Sequence, residues 1–118
     1  MTDLVACLST GKGTWGHVGR LINEQEWNSI FLITNEFGKE NFSNEKNAEF
    51  IVIDQNASVK DIKNTIESNL KGKIKDTEIA LNLVSGTGKE HMAIISAVLK
   101  LGLGIRLTAL TKEGIEEL

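Results

Sequence analysis

Five short apolar runs, separated by helical patterns, constrain the fold of this 118-residue chain more than any other feature. The runs are Leu4–Leu8, Ser29–Thr34, Phe50–Ile53, Glu78–Val84 and Ile105–Leu110. They are nearly continuous in apolar residues rather than alternating, which is typical of strands buried on both faces of a parallel sheet. Their alternation with helical patterns predicts an α/β domain.

Three segments between these runs carry helical spacing. Trp15–Glu24 has apolar residues at i, i+3 and i+4, residues 59–70 follow a serine N-cap, and Lys89–Leu101 is apolar almost all round. Asn35–Asn47 is polar and irregular, with room for a short helical turn. Thr111–Leu118 is expected to form a short acidic tail. Neither linker nor repeat divides the chain, which predicts one domain over residues 1–118.

Crossovers between parallel strands are almost always right-handed, which leaves few arrangements for these elements. The expected fold is a three-layer, Rossmann-like sheet of about five mostly parallel strands in the order 3-2-1-4-5. The fifth strand is left open as either parallel or antiparallel at its edge. In that order the first and fourth strands are neighbours, and ligands bind where the chain reverses between them.

Composition excludes several classes of protein. The net charge of −3 argues against broad DNA binding, which needs a basic face. Cys7 is the only cysteine, so no internal disulfide forms, and its apolar run predicts a buried, inert thiol. The sequence shows no signal peptide and no apolar run near the ~18 residues of a membrane span, which predicts a cytoplasmic protein.

The first loop with chemical potential follows the first strand. Gly11, Gly13 and Gly16 form a G-x-G-x-x-G pattern between a predicted strand and a predicted helix, where such glycines let a phosphate approach the backbone. The aromatic ring in this loop either stacks on a base or packs the helix onto the sheet. The candidate ligand-binding residues of this loop are Ser9, Thr10, Gly11, Lys12, Gly13, Thr14 and Trp15.

The second loop follows the fourth strand and combines the same ingredients: hydroxyls, glycines, a lysine and a helix N-terminus. It does not satisfy the Walker A pattern. Asn35 and Glu36 follow the second strand, where a ribose-binding acid stands in dinucleotide folds. The candidate residues of the second loop are Ser85, Gly86, Thr87, Gly88, Lys89 and His91, and Asn35 joins them from the neighbouring strand.

No catalytic set or metal site stands out. His17 and His91 have no carboxylate or thiol partners at ligand spacing, so no metal is predicted. His17 is expected to be a surface or packing residue, and His91 either faces the pocket or is half-exposed on its helix. No cofactor is assigned, and the sequence leaves open whether the protein is an enzyme.

Residues 81–93, with the turn Ser85-Gly86-Thr87-Gly88-Lys89, resemble the second signature of CARF domains, the CRISPR-associated Rossmann-fold sensors of antiviral defence. Ser9-Thr10-Gly11 is similar to the first signature of that family. The resemblance implies a stand-alone member that binds a cyclic oligoadenylate as a homodimer, and some relatives also cleave that ligand with its own 2′-hydroxyl. By this match the pocket would be lined by Ser9, Thr10, Thr87, Lys89 and His91.

Two other functions stay open at this point. The G-x-G-x-x-G loop with Glu36 favours a dinucleotide-binding protein or enzyme subunit that uses NAD or FAD. A structural or interaction module would bind neither ligand. Helix 89–101 has few polar positions, which independently predicts burial against a second copy of the chain or beneath the rest of the domain.

Overall fold

The computed structural model describes residues 2–8, 12–43 and 46–118 of the chain. A short 3₁₀ turn, Lys12–Thr14, precedes the first helix. The helices are α1 (Trp15–Asn23), α2 (Glu36–Asn41), α3 (Val59–Leu70) and α4 (Gly88–Lys100). The strands are β1 (Leu4–Cys7), β2 (Ile30–Thr34), β3 (Glu49–Val52), β4 (Glu78–Asn82), β5 (Gly104–Thr111) and β6 (Gly114–Glu117).

The strands form one Rossmann-like sheet in the order β3-β2-β1-β4-β5-β6. Strands β1 to β5 pair in parallel, and only β6 runs antiparallel to its neighbour. Leu4 of β1 stands between Ile30 of β2 and Ala80 of β4, so β1 and β4 are neighbours. The predicted order 3-2-1-4-5 is confirmed, and a sixth strand extends it.

The sixth strand corrects the prediction of an acidic tail at Thr111–Leu118. Thr111 pairs with Gly114 across Lys112 and Glu113, and Gly114 ends the turn with a positive φ of +107°, a conformation that glycine adopts most readily. The Arg106 guanidinium binds Glu117 on the returning strand at 2.6 Å, while Ile115 packs against the core. These long-range contacts fix the segment as a strand although its own sequence is short and acidic.

Two apolar clusters on opposite faces of the sheet make up the core. Successive side chains of a strand point to opposite faces, so Val5 joins one cluster while Leu4 and Ala6 join the other. Helices α3 and α4 cover the first face, and α1 covers the second. Most apolar positions at helical spacing are buried, namely Val18, Leu21 and Ile22 on α1 and Ile62, Ile66 and Leu70 on α3. Val59, at the start of α3, is exposed.

The helix boundaries follow the local sequence. The hydroxyl of Ser58 accepts a hydrogen bond from the Asp61 N–H at 3.1 Å and begins α3, as predicted. Gly72 and Gly102 follow α3 and α4 with φ of +81° and +75°. The Asn35 side chain accepts from the Gly38 N–H at 2.9 Å and begins α2, a short helix in the segment for which the sequence allowed a helical turn. In the described ranges, every helix is too short or too polar to cross a membrane.

Candidate functional site

The candidate site lies at the carboxyl ends of β1 and β4. The two strands are parallel neighbours, with Ala6 opposite Asn82, so their carboxyl ends meet at one place. The segments that follow β2 and β3 leave at the same edge because those strands are parallel as well. This is the switch point at which α/β sheets bind ligands.

Gly86 holds the loop after β4 directly against the end of β1. Its φ is +105°, and a Cβ atom there would stand 2.6 Å from the Sγ of Cys7 and 3.1 Å from Nε2 of His91. Both the backbone conformation and the close approach therefore require glycine. Glycine is thus required at position 86 by the packing of the protein itself. The sequence had suggested a second reason, that a glycine lets a ligand approach the backbone.

Helix α4 begins with a reciprocal cap that leaves two amides free. The Glu90 carboxylate accepts from the Thr87 N–H at 2.8 Å, and the Thr87 hydroxyl accepts from the Glu90 N–H at 3.4 Å. Within the described residues, the N–H groups of Gly88 and Lys89 have no acceptor, as expected in the first turn of a helix. A Cβ atom on Gly88 would meet nothing within 4 Å. Two amide donors thus stand at the positive end of the helix dipole.

A hydrogen-bonded chain links the loops after β2, β3 and β4. The Asn35 amide donates to the side-chain oxygen of Gln55 at 3.0 Å, and the Gln55 amide donates to Glu90 at 3.4 Å. The Lys89 ammonium donates to the backbone carbonyl of Gln55 at 2.9 Å. An ammonium has three donors, so Lys89 keeps donors for a ligand.

Gln55 and Glu90 are site residues that the sequence analysis missed. Glu90 is only 4% exposed, and its role was signalled by Thr87-Gly88-Lys89-Glu90, which fits the T-x-x-E capping pattern. Gln55 carries no comparable signal, because its partners come from segments 20 and 35 residues away.

Cys7 lies beneath the site as a neutral thiol. Burial raises its pKa to about 12, and the negative charge of Glu90 adds to the rise, while a backbone hydrogen bond from Leu8 opposes it. The side chain is 1% exposed, as the sequence predicted. A thiolate is therefore scarce at neutral pH, and Cys7 is not a nucleophile in this state.

The two histidines hold loops in place. His91 Nε2 donates to the Ser85 carbonyl at 2.7 Å, which ties the loop after β4 to the first turns of α4. His17 Nε2 accepts from the Leu110 N–H at 3.3 Å and lies 3.2 Å from the Asn82 amide. Partial burial lowers the pKa of His17, and the nearby Arg20 lowers it further. His17 is thus a packing residue, one of the two roles the sequence allowed.

Trp15 packs within an aromatic cluster beside the first loop. Its ring centroid lies 6.0 Å from that of Phe37 and 5.8 Å from that of Phe42, the second in an edge-to-face arrangement. The ring also packs against the cluster beneath α1. Trp15 therefore packs α1 onto the sheet, one of the two roles that the sequence allowed. The exposed Phe37 ring extends this aromatic cluster to the carboxyl edge of the sheet.

The structure brings one group of the predicted site residues together at the carboxyl edge. The others lie at the start of α1 or outside the described residues. Ser9, Thr10 and Gly11 lie outside the described residues, and so does the side chain of Lys12. Gly13 is exposed and Thr14 half-buried at the start of α1. The predicted residues that share the carboxyl edge are Trp15, Asn35, Ser85, Gly86, Thr87, Gly88, Lys89 and His91.

The acidic and sulfur-bearing side chains do not build a metal site here. In residues 2–8, 12–43 and 46–118, no group of three His, Cys, Asp or Glu side chains is placed to hold an ion.

Comparison with known proteins yields structural similarity but no family. No family model matches the chain, and no curated protein matches it. Among solved structures, the chain is similar to the crystal structure of the FMN-dependent cysteine decarboxylase TvaF from thioviridamide biosynthesis. That similarity has 9% identity and a TM-score of 0.33 over 89% of each chain. A TM-score of this size supports no argument about function.

Proposed function

We propose that this protein binds a nucleotide through its phosphate at the carboxyl edge between β1 and β4, as a CARF-like sensor of cyclic oligoadenylate. The proposal is supported by the parallel pairing of β1 with β4, which brings the carboxyl ends of these two strands together at the switch point. The free N–H groups of Gly88 and Lys89 and the Lys89 ammonium are donors for a phosphate oxygen.

The proposal that the nucleotide is a cyclic oligoadenylate rests on the resemblance of residues 81–93 to the CARF signature. A thermal-shift screen with cyclic tetra-adenylate, ATP and NADH tests it. A ligand at ~100 times its dissociation constant stabilises the folded state by about 2.7 kcal/mol. We expect the largest rise in melting temperature with cyclic tetra-adenylate. No rise with any of the three would contradict nucleotide binding.

A dinucleotide-binding protein is the second candidate, because Glu36 follows β2 where a ribose acid belongs. One glycine argues against it. The third glycine of the dinucleotide fingerprint serves close packing between helix and strand. Gly16 is exposed instead, and a Cβ atom there would meet nothing within 4 Å. A rise with NADH alone would favour this candidate over the sensor.

The proposed sensor acts as a homodimer through helix α4. Its inner face is buried, but Met92 is 64% exposed and Leu99 is 60% exposed. With Ile95 these two side chains line an apolar groove of about 720 Å³. Exposed apolar surface of this kind is covered in a partner more often than left in water. Light scattering at micromolar concentration tests the dimer, and a mass of 12.9 kDa would refute it.

A further inference from the structure

A polar crevice of about 500 Å³ opens at the carboxyl ends of β2 and β3, one strand away from the proposed phosphate site. Its wall combines an aromatic ring, side-chain amides and carboxylates. The residues that matter for its chemistry are Asn35, Glu36, Phe37, Asp54, Gln55 and Asn56.

Two residues of the crevice wall contact the starts of α4 and α1. Gln55 accepts from Lys89 through its backbone carbonyl and donates to Glu90 through its side chain, so one wall is tied to the first turn of α4. Phe37 contacts Trp15, the first residue of α1, with ring centroids 6.0 Å apart. Gln55 therefore links the crevice directly to Lys89 of the proposed phosphate site.

The charges of the crevice select which part of a nucleotide enters it. Glu36 and Asp54 are exposed carboxylates, and ionised carboxylates accept hydrogen bonds but donate none. One oxygen of Asp54 already accepts from the Asn56 N–H at 2.9 Å. Two negative charges repel a phosphate and attract N–H and O–H donors. The crevice therefore fits the amino group of a base and the hydroxyls of a ribose.

The Phe37 side chain supplies the face on which a base would lie. It is 43% exposed although it is large and apolar, and it lines the crevice beside the amides of Asn35 and Gln55. Bases stack on aromatic rings. The amides of Asn35 and Gln55 bond to each other and to Glu90, and each NH₂ group has a second N–H beyond these bonds. A stacking surface and carboxylate acceptors for amino and hydroxyl groups thus lie within one opening.

We infer that this crevice binds the base and ribose of the nucleotide whose phosphate lies at the start of α4, with an amino-bearing base stacked on Phe37 and its donors directed at Glu36 and Asp54. The inference rests on the proposed nucleotide-binding function. The inference orients the ligand along the carboxyl edge of the sheet, with its phosphate near Lys89 and its base near the end of β3.

Titration calorimetry with ATP, cyclic tetra-adenylate and inorganic triphosphate tests the crevice apart from the phosphate site. We expect Phe37→Ala to weaken the adenine-bearing probe that binds by about tenfold, since stacking on one aromatic ring has this magnitude. Glu36→Gln should also weaken it by about tenfold, since a hydrogen bond to a charged acceptor is lost. Triphosphate has no base, so neither variant should weaken it. Phe37→Leu retains apolar contact with Trp15 and separates lost stacking from lost folding.

Glu40→Gln is the matched control, because Glu40 is exposed on α2 but does not line the crevice. Removing a negative charge should by itself favour any anion, so weaker adenine binding in Glu36→Gln alone points to a lost contact. If Lys89→Ala weakens the probes while the crevice variants leave them unchanged, the crevice inference is wrong and the phosphate site stands. If no probe binds the parent protein, both are wrong.

Discussion

Gly86 lies so close to Cys7 that a Cβ atom on the glycine would stand 2.6 Å from the cysteine Sγ. The contact joins the loop after β4 to the end of β1, the two strands between which the chain reverses. Neither residue could be assigned this role from its own segment. The site therefore depends on how two distant segments meet rather than on either glycine-rich loop alone.

Gly86→Ala should destabilise the fold. The positive φ of +105° disfavours any side chain, and the new methyl group would overlap Cys7. We expect a loss of about 2 kcal/mol or more in the free energy of unfolding, measured by urea denaturation.

Gly88→Ala is the matched control on the same loop. Its added methyl group meets open space at the first position of α4. We expect the free energy of unfolding to change by less than about 0.5 kcal/mol, while nucleotide binding weakens because the methyl group stands beside the free amides. Equal destabilisation by the two substitutions would contradict this packing of the loop.

Lys89→Ala should weaken binding of a phosphate-bearing ligand by about 1–3 kcal/mol, the range for hydrogen bonds that involve charge. Folding should hardly change, because Lys89 is exposed. Lys12→Ala should act in the same direction but less, since its loop precedes α1 by more residues. Calorimetry at fixed salt measures both variants, with Lys71→Ala, an exposed lysine at the end of α3, as control. Equal affinity in all of them would place the ligand elsewhere.

His17 makes the stability depend on pH. Its pKa is lowered in the folded state, so the unfolded chain binds the proton more readily. The contribution of His17 to the free energy of unfolding is complete above its ordinary pKa of 6.5. It is lost as the pH falls through the lower pKa of the folded state. Denaturation between pH 7 and pH 5 should show falling stability. His17→Gln, which keeps an acceptor for the Leu110 N–H, should flatten this slope.

Cys7 should resist modification while the protein is folded. Its pKa of about 12 leaves little thiolate at pH 8, and the thiolate is the reactive form. We expect the disulfide reagent DTNB to react with the unfolded chain in guanidinium within minutes and with the native protein far more slowly. Rapid reaction of the native protein would show that the end of β1 opens readily.

The order of the first five strands was predictable because their apolar runs, such as Leu4–Leu8, are each a local signal. Strand β6 was not, because its acidic residues are stabilised by Arg106 from another strand. The edge shared by Gly86 and Lys89 followed from topology. The link from Gln55 to Glu90 did not, because it depends on side-chain positions that no sequence spacing encodes.

Amide chemical shifts of the ¹⁵N-labelled protein, titrated with cyclic tetra-adenylate, test the central claim most directly. We expect the Gly88 and Lys89 resonances to move and saturate together, because their N–H groups receive the phosphate. The Lys71 resonance, at the end of α3, should stay unchanged. Shifts confined to Met92 and Leu99 in the apolar groove, or no shifts at all, would contradict a phosphate site at the switch point between β1 and β4.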